Sequence, residues 1–196
     1  MIEKTLQTTD GKLRVKIPDQ LTELNLGQMM ALQEKPELSD IEAISVLSGI
    51  TTDALNNVKN AHDFQTFSDA ILSLSYQIKY LYNSEIIPKE VSFILDHGTE
   101  KSVTKLVKIS HNLSVEPAGA FMAAREIIAD EVNDHIKQYG DEDWQENFNP
   151  SLNACCHVLA HYFFCRATGK KYDEYQAEEF CTEIKKMRVT EALPIA

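Results

Sequence analysis

The chain has 196 residues, enough to bury a core as one domain or as two small lobes. Nineteen basic residues against thirty acidic ones leave a net charge of −11. That excess argues against a sequence-independent nucleic-acid binder and against a surface drawn to anionic lipid. No apolar run approaches the roughly 18 to 20 residues needed to cross a bilayer, and the opening MIEKTLQTTDGK lacks the apolar stretch of a secretory signal, so a cytoplasmic protein is expected.

Residues 3–8 and 12–17 alternate on either side of Asp10-Gly11. That pair tolerates the positive φ of a tight turn, which predicts a β-hairpin, and Pro18 ends it because proline has no N–H to donate. Asn25 and Gln28 have the spacing of a capping box for a helix of about ten residues, closed by Pro36. Ser39 and Glu42 repeat the signal for a short helix through Ile44 and Leu47 that stops at Gly49. Thr51 or Thr52 caps a small turn carrying Leu55 and Val58. A longer helix is predicted over 63–82, where Phe64, Phe67, Ile71, Leu74, Ile78 and Leu81 recur at three and four. Tyr76 and Tyr80 on its other face suggest that it is covered on two sides.

Pro88 separates the halves. Residues 90–95 and 102–109 read as the strands of a second hairpin, joined through Asp96-His97-Gly98-Thr99. Glu116 and Pro117 open a helix to Tyr139 stopped by Gly140, its core stripe being Phe121, Ile128, Val132 and Ile136. Asn149 as cap and Pro150 as first residue open another, ending at Thr168 before Gly169. A last helix over 173–187 carries Tyr175, Phe180, Ile184 and Met187. The expected fold is α+β and mostly helical. It has two related halves, 1–87 and 88–196, each a β-hairpin followed by helices, standing apart or as one compact unit.

The relation between the halves rests on one repeat. At a constant offset of 92, Val15, Lys16, Ile17, Leu21, Gly27, Met30 and Ala31 coincide with Val107, Lys108, Ile109, Leu113, Gly119, Met122 and Ala123. Ordinary composition gives about one identity in such a window. The physical reading is a strand ending in Val-Lys-Ile, a polar crossing, and a helix that opens just before the glycine.

Candidate chemistry concentrates on the helix before Gly169, where His157 and His161 lie four apart on one face and could share a metal. The zincin pattern needs Glu after the first His, and that position is Val158. At 100° per residue Asn153, His157, His161 and Thr168 form a narrow polar stripe on a greasy helix, with Phe164 inside it. Such a stripe reads as a solvent boundary, or as the place where a partner or neighbouring element lies. Cys155, Cys156, Cys165 and Cys181 all fall in the last quarter of the chain and read as reduced, buried small hydrophobes. Asp141, Asp143 and Gln145 resemble the start of a calcium loop, but the sixth position is Glu146 and the twelfth Leu152, so that reading fails. No phosphate loop, dinucleotide fingerprint or nucleophile elbow occurs, so no catalytic or cofactor-binding residue is assigned. Met29-Met30 reads as core filling rather than an adaptable binding surface.

The run LTELNLGQMMALQEKPELSDIEAISVLSGITTDALNNV resembles small proteins of the tail and neck gene modules of tailed bacteriophages. Leu24, Leu26, Gly27 and Gln28 carry the first part of the pattern; Ile41, Ile44, Leu47, Ser48, Gly49 and Ile50 carry the second. The resemblance covers residues 3–82. The second half departs from it, since Gln28 becomes Ala120 and ISVLSGI has no counterpart. It implies a non-enzymatic virion or tail-assembly protein, either an assembly chaperone or a ring or neck component. Such a protein works in the host cytoplasm during assembly, whether or not the virion retains it. Its partners would be other phage tail or neck proteins, in an oligomer or hetero-complex, without cofactor, direct nucleic-acid contact or membrane. Expected contact residues are Leu6, Leu13, Val15 and Ile17 of the first hairpin and Leu193 and Ile195 of the uncharged tail. The competing class is a small metal-binding protein or enzyme that uses the His157/His161 helix.

Overall fold

A computed structural model describes residues 1–34, 37–78, 86–95, 103–110, 116–140, 142 and 144–196. The architecture is α+β and mostly helical, with two separate antiparallel hairpins, each followed by helices. The chain divides into two units: Met1–Asn83 with Arg188–Thr190, and Ser84–Met187 with Glu191–Ala196.

In the first unit β1 (Ile2–Thr8) pairs with β2 (Gly11–Ile17), from Ile2 opposite Ile17 to Thr8 opposite Gly11. The turn is therefore Thr9-Asp10, one residue earlier than the Asp10-Gly11 signal suggests, and Gly11 supplies the positive φ as the first strand residue. Alternation sends Leu6, Val15 and Ile17 into the core and leaves Glu3, Thr5, Gln7, Arg14 and Lys16 outside. A one-residue slip would exchange the two faces, so the buried set itself holds the register.

α1 (Leu26–Gln33) opens with the expected capping box: Asn25 Oδ1 accepts from Gln28 N at 2.7 Å, and Gln28 Oε1 accepts from Asn25 N at 3.1 Å. Gln28 Nε2 also donates to Leu47 O at 2.9 Å, tying α1 to the end of α2 (Asp40–Ser48). Ser39 and Glu42 form the second box, and Gly49 ends α2 in the left-handed region. After α3 (Thr52–Asn56), a 3₁₀ turn, Ala61–Phe64, leads into α4 (Gln65–Ile78). Phe64, Phe67 and Leu74 of the expected face are buried, whereas Tyr76 is exposed, so the face carrying it is not covered as expected. Pro36, Tyr80 and Leu81 lie outside the described residues. Arg188–Thr190 closes the unit, with Val189 buried and its N–H donating to Leu24 O at 2.9 Å.

In the second unit β3 (Glu90–Leu95) pairs with β4 (Val103–Lys108); their connection, which includes Asp96 to Thr99, lies outside the described residues. Val91, Phe93, Leu95 and Val107 face inward. α5 (Ala118–Tyr139) packs on α7 (Leu152–Thr168), with the short α6 (Trp144–Asn147) between them in sequence. α7 is buried nearly all round, as a helix with so little polar surface must be. Its cap is Ser151 rather than Asn149: the Ser151 N–H and hydroxyl donate to the two Glu131 oxygens of α5, at 2.8 and 2.7 Å. The predicted last helix is broken at Phe180 into α8 (Glu174–Glu179) and α9 (Cys181–Ile184); α10 (Val189–Ala192) follows. Phe93 of β3 lies 5.2 Å from Phe163 and 5.4 Å from Phe180, ring centre to ring centre. The break at Phe180 thus coincides with its docking on the strand.

The repeat offset also reads out in secondary structure. α1 begins at Leu26 and α5 at Ala118, the same offset of 92, whereas β2 ends at Ile17 and β4 at Lys108, one residue short of it. Most of the second crossing, including Leu113, lies outside the described residues. The helices then diverge, eight residues in α1 against 22 in α5.

Candidate functional site

The polar stripe of α7 is covered rather than open. His161 is 3% exposed, and its Nδ1 shares a hydrogen bond with the Tyr172 hydroxyl at 3.0 Å. Burial holds its pKa below the ordinary histidine value, so the neutral imidazole is favoured. His157 is half-buried, with Nδ1 3.5 Å from the Cys181 sulfur of α9. The expected solvent boundary is thus corrected: the segment carrying Tyr172 and Cys181 meets the stripe, and only Asn153 at its start is exposed. Among the described residues no group of three histidine, cysteine or acidic side chains could hold a metal ion, and each of the two imidazoles already has a protein partner.

Cys155, Cys156 and Cys181 are buried and Cys165 is half-buried. Burial pushes the Cys155 thiol up to about 11. Cys156 and Cys181 contact each other across α7 and α9. The hydrogen bond between them pushes the donor Cys156 up and holds Cys181 below the ordinary thiol value.

The more open feature of the second unit is an apolar groove of about 450 Å³ between α5 and α7. Phe121, Ala124 and Ile128 of α5 form one wall, Val158 and Tyr162 of α7 the other. Phe121 is 46% and Ile128 47% exposed, although both belonged to the expected core stripe. α5 buries only Ala120 fully; Phe121 and Ile128 stand over the groove, while Val132 and Ile136 of the expected stripe are half-buried. At one end Arg166 donates to Lys108 O at 3.1 Å and forms an ion pair with the buried Glu116 carboxylate. Tyr162 bonds both the N–H and the carbonyl of Ser110, each at 2.9 Å. The polar groups there are thus committed to holding β4, α5 and α7 together.

Of the contact residues expected from sequence, Leu6, Val15 and Ile17 are buried in the first unit and Leu13 is half-buried, so these side chains serve that unit's own core. Leu193 and Ile195 are half-buried, and Ile195 with Ala196 lines the α5/α7 groove. The groove was missed because alanines gave no signal of a packing face, whereas Phe121 and Ile128 gave a strong and misleading one. No helix among the described residues is long and apolar enough to cross a membrane. A scan against protein-family models and searches of curated proteins and of solved structures found no match to this chain.

Proposed function

We propose that this chain is a non-enzymatic assembly protein of a tailed bacteriophage, a tail-assembly chaperone or a ring or neck component, acting through protein–protein contacts. The observation that carries the reading is the half-exposed apolar wall of Phe121 and Ile128 over a groove whose Tyr162 and Glu116 are already engaged. A groove of this kind suits the apolar face of a partner helix. The resemblance over residues 3–82 supplies the phage context, and the net charge of −11 fits a protein partner better than nucleic acid. The protein would work in the host cytoplasm, and particle composition distinguishes a chaperone from a retained component.

The test mixes the purified chain with purified tail and neck proteins encoded beside it, and measures complex mass by light scattering. A defined complex that Phe121→Asp and Ile128→Asp abolish, with the helical signal unchanged, supports the proposal. A chain that remains a monomer with every such protein overturns it.

A further inference from the structure

We propose that Cys156 and Cys181 form a thiol–disulfide couple that a small hydroperoxide oxidises, with His157 placed to take the proton of the Cys181 thiol. Three contacts carry this. Cys156 Sγ lies 3.7 Å from Cys181 O, and Cys181 Sγ lies 4.0 Å from Cys156 O, so each sulfur reaches the other's backbone. Cys181 Sγ is also 3.5 Å from His157 Nδ1. Reciprocal reach of this kind brings the two side chains into one gap between α7 and α9, where a disulfide between them would form. The two cysteines are 1% and 8% exposed, which shields them from bulky reagents, so a peroxide would reach them through local opening of the four-residue α9. The other cysteines lack this arrangement. Among the described residues neither Cys155 nor Cys165 has an imidazole at its sulfur, and burial raises both thiols. The better exposed Cys165 is therefore not the thiol set up to react.

The chemistry closes in two steps. Cys181 passes its proton to His157 Nδ1, and the thiolate sulfur attacks the terminal oxygen of the hydroperoxide. The O–O bond breaks, and the departing alkoxide or hydroxide leaves with the proton from His157. Cys181 is then a sulfenic acid. The Cys156 sulfur attacks it, the S–S bond forms, the S–O bond breaks, and hydroxide leaves as water with the Cys156 proton. Two thiols have lost two electrons, and one hydroperoxide has become an alcohol (or water) and water. The product joins the second turn of α7 to the start of α9.

The experiment uses the full chain and hydrogen peroxide, with alkylation of remaining thiols, digestion and mass mapping. The expected result is a loss of about two mass units per chain, a linked peptide pair containing Cys156 and Cys181, and alkylated Cys165. His157→Asn should slow formation of the link about tenfold at neutral pH. Oxidation that begins at Cys155 or Cys165, or a folded chain that forms no 156–181 link, overturns the couple. An unchanged rate in His157→Asn overturns the role of the imidazole. Cys181→Ser should leave Cys156 unreactive; if that variant does not fold, the map of the unaltered chain still decides.

Discussion

The ring of Tyr172 occupies the space that any side chain at position 119 would need: a Cβ on Gly119 would stand 2.7 Å from Tyr172 Cε1 and 2.8 Å from Cδ1. The same tyrosine bonds His161 through its hydroxyl. One ring thus joins the first turn of α5 to the buried imidazole of α7.

Gly119→Ala separates two opposed effects. Helix propensity alone would stabilise α5 by about 1 kcal/mol, while crowding of the tyrosine ring costs about 1–3 kcal/mol. Net destabilisation in urea unfolding is expected; a gain would show that the ring yields freely.

His161 gives stability a pH dependence with a defined sign. Its folded pKa lies below the ordinary histidine value of about 6.5, so the unfolded chain binds the extra proton first. Its contribution is complete above that value and declines as pH falls through it toward the depressed folded pKa. Unfolding midpoints measured between pH 7.5 and 5 should fall less steeply in His161→Gln than in the unaltered chain. Tyr172→Phe should cost about 1–3 kcal/mol at pH 7.5, because it strips the partner from a buried ring nitrogen.

Two arginine–carboxylate pairs should differ sharply. Arg166 is the only compensation for the buried Glu116 Oε1 among the described residues, and Arg166→Ala should cost about 3 kcal/mol by leaving that charge unpaired. Arg14 meets Glu3 on the solvent face of the first hairpin, at 2.5 and 2.8 Å, where water replaces the contact readily. Arg14→Ala should scarcely move the denaturation midpoint. Equal effects from the two substitutions would contradict the burial difference.

Ser151 and Glu131 form the third coupling. Ser151→Ala removes the cap of α7 and one bond to Glu131, and should cost about 1 kcal/mol. Glu131→Ala should cost less in that background than in the unaltered chain, since the two groups share an interaction. Strict additivity in a double-mutant cycle would remove it.

Local signals were readable where one residue type satisfies a backbone group by itself. Asn25 with Gln28, Ser39 with Glu42, and Gly49, Gly140 and Gly169 all sit at the helix ends that their chemistry suggested. What depends on another segment was not readable. Nothing near Ser151 announces Glu131, twenty residues away, and the Asn-Pro pair points to Asn149 instead. Phe164 in the His157/His161 stripe hints at a neighbouring element, but nothing there says that it brings a tyrosine and a cysteine. The α5 stripe held only in part: periodicity identifies an apolar face, but Phe121 and Ile128 stand exposed over the groove while Val132 and Ile136 are half-buried.

The return of Arg188–Thr190 to the first unit sets an order of events during synthesis. Leu24 O receives its Val189 donor only after Ser84–Met187 of the second unit have been translated. At about 5–20 residues per second, the first unit waits roughly 5–20 s after Asn83 for that segment, with the pocket for Val189 unfilled. A nascent chain in that interval offers apolar surface that the finished protein does not, and it is then that a chaperone or an early partner would find it.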